Sequence, residues 1–391
     1  MDVSQFGASA AGELVPIRGI DQYLNRPYDH IAFMPDGLPH EPRVSPRSHR
    51  LASEADRAVG RLDAAVMRLP NPLLLLRPAL RREAVSTSAL EGTYATLLEV
   101  FEADYLEERQ RTAEQREVLN YVRAAERGIE LIAKKPICLT VIDELQSILV
   151  RGTRSDGASA GRLRTGQVYI GERDRGIENS RFVPPPAGDL LQRGVHAWET
   201  WLNTDDETPL LIKAALSHYQ FETLHPYTDG NGRLGRLVVA LQLMAFGALH
   251  LPVLNLSPWL KRREEEYKSL LLRTSQSGDY NPWIQFFVEA VAAQADDAVR
   301  RIDALQALRT QMLTRLRKER ARGVVLDLAE DLIGYPVITV SEAAKLHSVT
   351  FPPASAAIQR LVELGYLTEL TGRQYGRVYG CTPVMEILDQ F

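Results

Sequence analysis

The 391-residue chain exceeds the roughly 250–300 residues at which single cores stop growing, so two or three structural units are expected. Hydrophobic residues make up 45% and charged residues 25%, and the glycines and prolines follow no period, which excludes a fibre or wholesale disorder. A net charge of −4 gives no global pull toward nucleic acid or anionic membrane, and the only two cysteines, Cys138 and Cys381, lack the spacing of a disulfide framework or a zinc site.

The N-terminus has an acidic second residue and no continuous apolar run, and no stretch reaches the ~18 apolar residues of a membrane span. A soluble, cytoplasmic protein is expected. Residues 1–45 are rich in Pro, Gly and His with little periodicity, and read as an extended arm that drapes over something else. From residue 48 the pattern becomes helical, with Leu51, Ala55, Val59, Leu62, Ala65 and Val66 in register, and a second run over 73–80 after the breaker Pro70-Asn71-Pro72. Helical spacing recurs over 117–133, 139–149 and 190–202, the last preceded by Pro184-Pro185-Pro186.

Residues 161–186 differ. Gln167 to Gly171 form a β-branched and aromatic run, a polar stretch follows, and Arg181-Phe182-Val183 completes what reads as a β-hairpin projecting from a helical body. Helical spacing resumes over 211–224, 234–246, 260–274 and 283–295, and a charged amphipathic connecting helix is expected over 296–323. Beyond it, 340–346 and 354–364 have helix-turn-helix spacing, and residues 365–379 read as a hairpin, so 324–391 resembles a winged-helix module.

The chemistry concentrates in 225–236, His-Pro-Tyr-Thr-Asp-Gly-Asn-Gly-Arg-Leu-Gly-Arg. Taken singly, a histidine at a helix end is a structural residue and Gly-Asn-Gly an ordinary turn. Their coincidence with an aspartate and two arginines points to a nucleotide. Gly230 and Gly232 allow close backbone approach, and successive amides in such a loop make an anion nest. A helix starting near Arg233 or Leu234 aims its N-terminus at whatever the glycines cradle, and Arg233 and Arg236 share one helix face. Asp229 suits Mg²⁺, Asn231 adds a donor for a phosphate oxygen, and His225 has the intrinsic pKa of a general base. The spacing is not that of a P-loop.

HPYTDGNGRLGR resembles the signature of Fic-type protein adenylyltransferases, HPFxDGNGRxxR, with Tyr227 in place of the usual Phe. The resemblance covers roughly residues 85–295. It implies a mainly α fold, a helical core with a β-hairpin flap at 161–186, and transfer of AMP from ATP·Mg²⁺ to a Ser, Thr or Tyr hydroxyl of a target protein. By the same resemblance His225 is the base and Asp229 the Mg²⁺ ligand. The nucleotide is held by Gly230, Asn231, Gly232, Arg233, Leu234, Gly235 and Arg236, bordered by Val168, Tyr169, Ile170 and Gly171 of the flap, with Gln276 aligned to a base-pocket position. The target protein would dock along the flap by strand addition. Gly232 follows the AMP-transferring branch, since the Doc-type kinases carry Lys there.

Thr87, Glu91 and Gly92 match the family's inhibitory pattern, [S/T]xxxE[G/N], in which the glutamate occupies the second motif arginine, here Arg236. The expected organisation is 1–138 for the arm and helices bearing this segment, 139–295 for the core, 296–323 for the connecting helix and 324–391 for the winged-helix module. That last region carries few basic residues (Lys345, Arg360, Arg373 and Arg377) against eight acidic ones, which favours protein contacts, including a homodimer, over DNA. Three other readings stay open: transfer of a different nucleotide, removal of AMP from a modified protein, and a transcriptional regulator whose core only senses nucleotide.

Overall fold

A computed structural model describes residues 1–7, 10–21 and 24–390. Strands β1 (Gly12–Ile20) and β2 (Pro27–Pro35) come first, followed by helices α1 (Pro46–Met67), α2 (Leu73–Leu90), α3 (Leu97–Ala103) and α4 (Ala113–Ile132). Then come α5 (Leu139–Val150), α6 (Asp189–Asn203), α7 (Leu210–Leu224), α8 (Asn231–Ala245), α9 (Ser257–Arg262), α10 (Glu264–Ser277) and the 38-residue α11 (Asn281–Lys318). The C-terminal elements are α12 (Val324–Asp331), β3 (Val337–Thr339), α13 (Val340–Leu346), α14 (Phe351–Glu363), β4 (Thr368–Glu369), β5 (Val378–Gly380) and α15 (Thr382–Asp389). The fold is mainly helical.

The chain divides into two compact units. The first contains Met1–Val59, Asn120–Leu249 and Leu256–Ala293; the second contains Gly60–Leu119, His250–Asn255 and Gln294–Phe391. The stretch 1–138 is thus shared by both, and α11 runs unbroken across the 295/296 boundary expected between core and connector.

The first unit is built around α7, which is buried over almost its whole length, polar residues included, as befits a helix enclosed by others. The indoles of Trp198 and Trp283 are fully buried, and each donates to an α7 carbonyl, Ser217 O at 3.0 Å and Ala215 O at 2.7 Å. Close approach of α6 is allowed by Gly194, where a Cβ would lie 2.6 Å from Leu224.

Three expectations for this unit are corrected. The N-terminal arm is an antiparallel hairpin, paired from Gly12↔Pro35 to Ile20↔Pro27, and its Ala32 and Phe33 are completely buried with Ile17, Ile177, Phe182 and Val183. Most of β1 is exposed, so the alternation that reveals a half-buried strand is missing from the sequence. The flap is not a two-stranded ladder. A single bridge, Ile170↔Phe182, is closed over two 3₁₀ turns, and Val183 O accepts instead from Phe33 N–H of β2 at 2.9 Å. The prolines at 184–186 have no N–H with which to extend a ladder. Finally, the helix expected over 260–274 is two helices parted at Arg263, because Glu264, Glu265 and Glu266 open a fresh N-terminus.

In the second unit α2 carries charge into the interior. Arg77 and Arg81 share the carboxylate of Asp104 at 2.6 and 2.7 Å, and the Arg77 guanidinium stacks 4.3 Å from the centre of the Tyr335 ring. Tyr105 on the following loop donates to Val337 O of β3 at 2.7 Å. The C-terminal elements follow the order α12–β3–α13–α14–β4–β5–α15, with β5 central in a three-stranded antiparallel sheet. No helix among the described residues is long and apolar enough to cross a membrane.

Candidate active site

The loop between α7 and α8 starts from an unusual backbone. His225 ends α7 in the left-handed region, φ 47° and ψ 60°, with its N–H on Phe221 O at 3.0 Å. For a residue with a Cβ this costs on the order of 1 kcal/mol or more, and persists only where surrounding contacts over-determine it. Those contacts are present. Arg164 donates from Nε to His225 O at 2.9 Å, and its backbone N–H donates to Pro226 O at 2.9 Å. The His225 ring has Nδ1 3.4 Å from Glu222 O; a carbonyl only accepts, so in the neutral ring the proton belongs on Nδ1 and Nε2 carries the lone pair.

At the other end of the loop the Asn231 side chain folds back on Tyr227, accepting from its N–H at 2.8 Å and donating to its O at 2.7 Å. Gly230, at φ 80°, caps the helix, so α8 begins at Asn231 rather than at 233 or 234. The Asn231 side chain thus clasps the loop shut at Tyr227. What the loop offers an anion is the set of helix-start N–H groups of Asn231, Gly232 and Arg233, which have no intrahelical acceptor.

Asp229 is partly exposed and its carboxylate accepts from Ser155 Oγ at 2.6 Å and Gly230 N–H at 2.8 Å, with Arg233 Nη2 at 3.7 Å. Burial alone would raise this carboxyl; the Ser155 hydroxyl, the Arg233 charge and the Gly230 N–H outweigh it and hold the group below its ordinary range. It is ionised at neutral pH. Arg233 and Arg236 are both buried on the first turns of α8.

Residues 49–130 match the family described as Fic/DOC family N-terminal, and residues 136–243 match the Fic/DOC family itself. Over these residues the chain is similar to Fic/DOC proteins. Protein adenylyltransferase fic-1 of Caenorhabditis elegans is 33% identical over 153 residues, which is 38% of this chain and 25% of that protein. Protein adenylyltransferase Fic of Drosophila virilis is 30% identical over 183 residues, 46% of this chain and 32% of the relative. The chain thus spans between a quarter and a third of these relatives. A Fic family protein from Desulfovibrio desulfuricans has the same fold, with a TM-score of 0.57 at 22% identity over 88% of this chain and 98% of that one.

Within residues 136–243, two of the motif positions also pack the helices together. The Leu234 side chain is wholly buried, and a Cβ on Gly235 would lie 2.7 Å from Glu222 Oε1 and 3.1 Å from Phe221, so Gly235 is what lets α8 approach α7. Val168 is buried; Tyr169 and Ile170 pack their side chains toward the Phe33 cluster, and Gly171 passes close to the Ser180 backbone. Gln276 donates to Gln5 Oε1 at 3.0 Å and its carbonyl accepts from Gly7 N–H at 3.2 Å, so its contacts are with the N-terminal segment. Thr87, Glu91 and Gly92 lie in the second unit. Thr87 is buried inside α2, whereas Glu91 is the exposed residue capping that helix and Gly92 turns away at φ 85°.

Four supporting residues escaped the sequence reading: Asp143, Gln146, Ser155 and Arg164. Tyr227, fully buried, donates its hydroxyl to Asp143 at 2.6 Å, a bond that the family's usual Phe cannot make. Gln146 donates to Asp229 O at 3.0 Å and accepts from Gly161 N–H at 2.6 Å. A signal existed for Gln146, a polar residue within the buried stripe of α5 formed by Ile142, Leu145 and Leu149. For Ser155 and Arg164 there was none.

Proposed function

We propose that the Fic domain transfers AMP from ATP to a hydroxyl of a target protein. The observation that carries this reading is the pairing, in one loop, of a histidine whose Nε2 is the acceptor with a helix N-terminus suited to phosphate. The relatives named protein adenylyltransferase support it. His225 removes the proton of the target hydroxyl, the oxygen attacks the α-phosphorus, and pyrophosphate leaves while Arg233, Arg236 and the α8 amides hold negative charge. Asp229, ionised and partly exposed, fits a single-carboxylate Mg²⁺ site, and such an ion, bound with the nucleotide, supplies further neutralisation of the phosphates. His225→Ala is expected to lower transfer of label from α-³²P-ATP by at least about 100-fold with ATP still bound. Retained transfer would remove His225 as the base.

The target is read as docking on the flap. Ile170 uses both its backbone groups on residues 181 and 182, so by strand alternation those of Tyr169 and Gly171 face the other way. Glu91 is read as the inhibitory carboxylate that competes with phosphate for Arg236. The C-terminal elements are read as a winged helix used for protein contacts. Its Arg360 is engaged by Glu319 and Glu363, which leaves little positive charge on α14 for a DNA backbone.

A further inference from the structure

Arg164 lies outside the 225–236 motif, 2% exposed, and its hydrogen bonds end on main-chain carbonyls. Its backbone N–H donates to Pro226 O at 2.9 Å and its Nε to His225 O at 2.9 Å. Nη2 donates to Pro185 O at 2.5 Å and reaches Leu224 O at 3.5 Å, and Nη1 donates to Gly166 O at 3.1 Å. These acceptors fall into two groups. Residues 224, 225 and 226 form the turn in which α7 ends and His225 becomes left-handed, while 166 and 185 are the two roots of the flap.

A guanidinium is suited to this because its donors lie in one rigid fork, so a single side chain spans carbonyls from three segments at fixed angles. A lysine carries three donors on one atom and cannot. Burial pushes the Arg164 guanidinium down to about 10, which leaves it charged at neutral pH, and carbonyl dipoles surround that charge.

We propose that Arg164 is a positioning residue that holds His225 in its left-handed conformation and locks both roots of the flap to it, so that the base and the target-docking segment keep one fixed spacing. This rests on His225 being the base of the transfer reaction. Chemistry by a general base tolerates little displacement, and an error near 1 Å costs on the order of 100-fold in rate. The phosphate donors, in contrast, belong to α8, which Arg164 does not touch in any of these bonds.

The test compares wild type, Arg164→Lys and Arg164→Gln in the full chain. Hydrogen exchange of the amides in 166–171, 181–183 and 224–230, Pro226 aside, is expected to accelerate about tenfold or more in both variants, with α6 and α10 unchanged. In the transfer assay kcat is expected to fall on the order of 100-fold, with the directly measured Kd for ATP within about twofold of wild type. Acceleration in only the flap or only the loop would overturn the proposal, as would a lysine variant equal to wild type. Loss of global structure in both variants, or parallel loss of ATP affinity and kcat, would show Arg164 to be a fold residue and equally overturn it. The exchange measurement needs no turnover, so a wild type that transfers no AMP defeats the proposed function without touching this result.

Discussion

His218 shows how one buried side chain sets a pH limit on the fold. It lies on α7 with Nε2 2.8 Å from the Tyr267 hydroxyl, stacked near the Tyr267 and Trp283 rings. Burial, and then the neighbouring Arg236 charge, push its imidazole down to about 3. In the unfolded chain the same group titrates near its ordinary value of about 6.5. Between these values the unfolded state binds the extra proton, so stability is full above the unfolded pKa and falls as pH drops. From pH 7 to pH 5 the loss assigned to this residue is about 2 kcal/mol. Urea titrations of wild type and His218→Gln at the two pH values should differ by that amount in their pH dependence. Identical pH dependence would mean that the imidazole is protonated in the fold. Tyr227 makes a related point: read from sequence it is a mild exchange for Phe, yet its hydroxyl binds the Asp143 carboxylate.

The α7–loop–α8 element is where helix propensity and packing oppose one another. Glycine in a helix costs about 1 kcal/mol relative to alanine, so Gly235→Ala should stabilise α8 on propensity alone. The added Cβ would sit 2.7 Å from Glu222 Oε1 and 3.1 Å from Phe221, and overpacking of this kind costs about 1–3 kcal/mol. We expect packing to win, with a lower Tm and weaker AMP transfer, because the Phe221 ring must give way even where the end of the Glu222 side chain swings aside. A melting curve at or above that of wild type would show that the two helices separate without penalty. The flap follows the same logic. Its β-branched run meets its own return segment at Ile170 alone, and Val183 of that return segment turns its carbonyl to Phe33 of β2.

For the molecule as a whole, the division into units puts the two sequence motifs in different bodies, with Thr87 to Gly92 in the second and 225–236 in the first. α2 belongs to the same unit as α12–α15, fastened there by the Arg77 and Arg81 pairing with Asp104 and by the stacking of Arg77 on Tyr335. On the proposed inhibitory role, Glu91→Gly should raise AMP transfer or self-modification by about tenfold or more, the scale of a coupling free energy between sites. The substitution falls at the helix cap, beside a residue that already leaves the helix, so α2 itself has little to lose. Equal rates of α-³²P incorporation in the two proteins would end the autoinhibition reading.

Residues 225–236 could be read directly because their chemistry is contiguous. A histidine, a carboxylate, glycines and arginines within one loop and one helix start need no distant partner to be recognised, and the helices flanking them announce themselves by local periodicity. The stabilising shell could not be read that way. Arg164 meets residues about 60 positions on, Asp143 and Gln146 meet residues more than 80 positions on, and Phe33 finds its carbonyl 150 residues away. No periodicity encodes such pairings, since they exist only once the chain has closed. The same folding gives Asn231 a clasp on the loop and Gly235 a place in the α7–α8 packing that the motif does not announce. The motif alone suggests a reaction class, and the folded chain decides which other residues hold its loop in place.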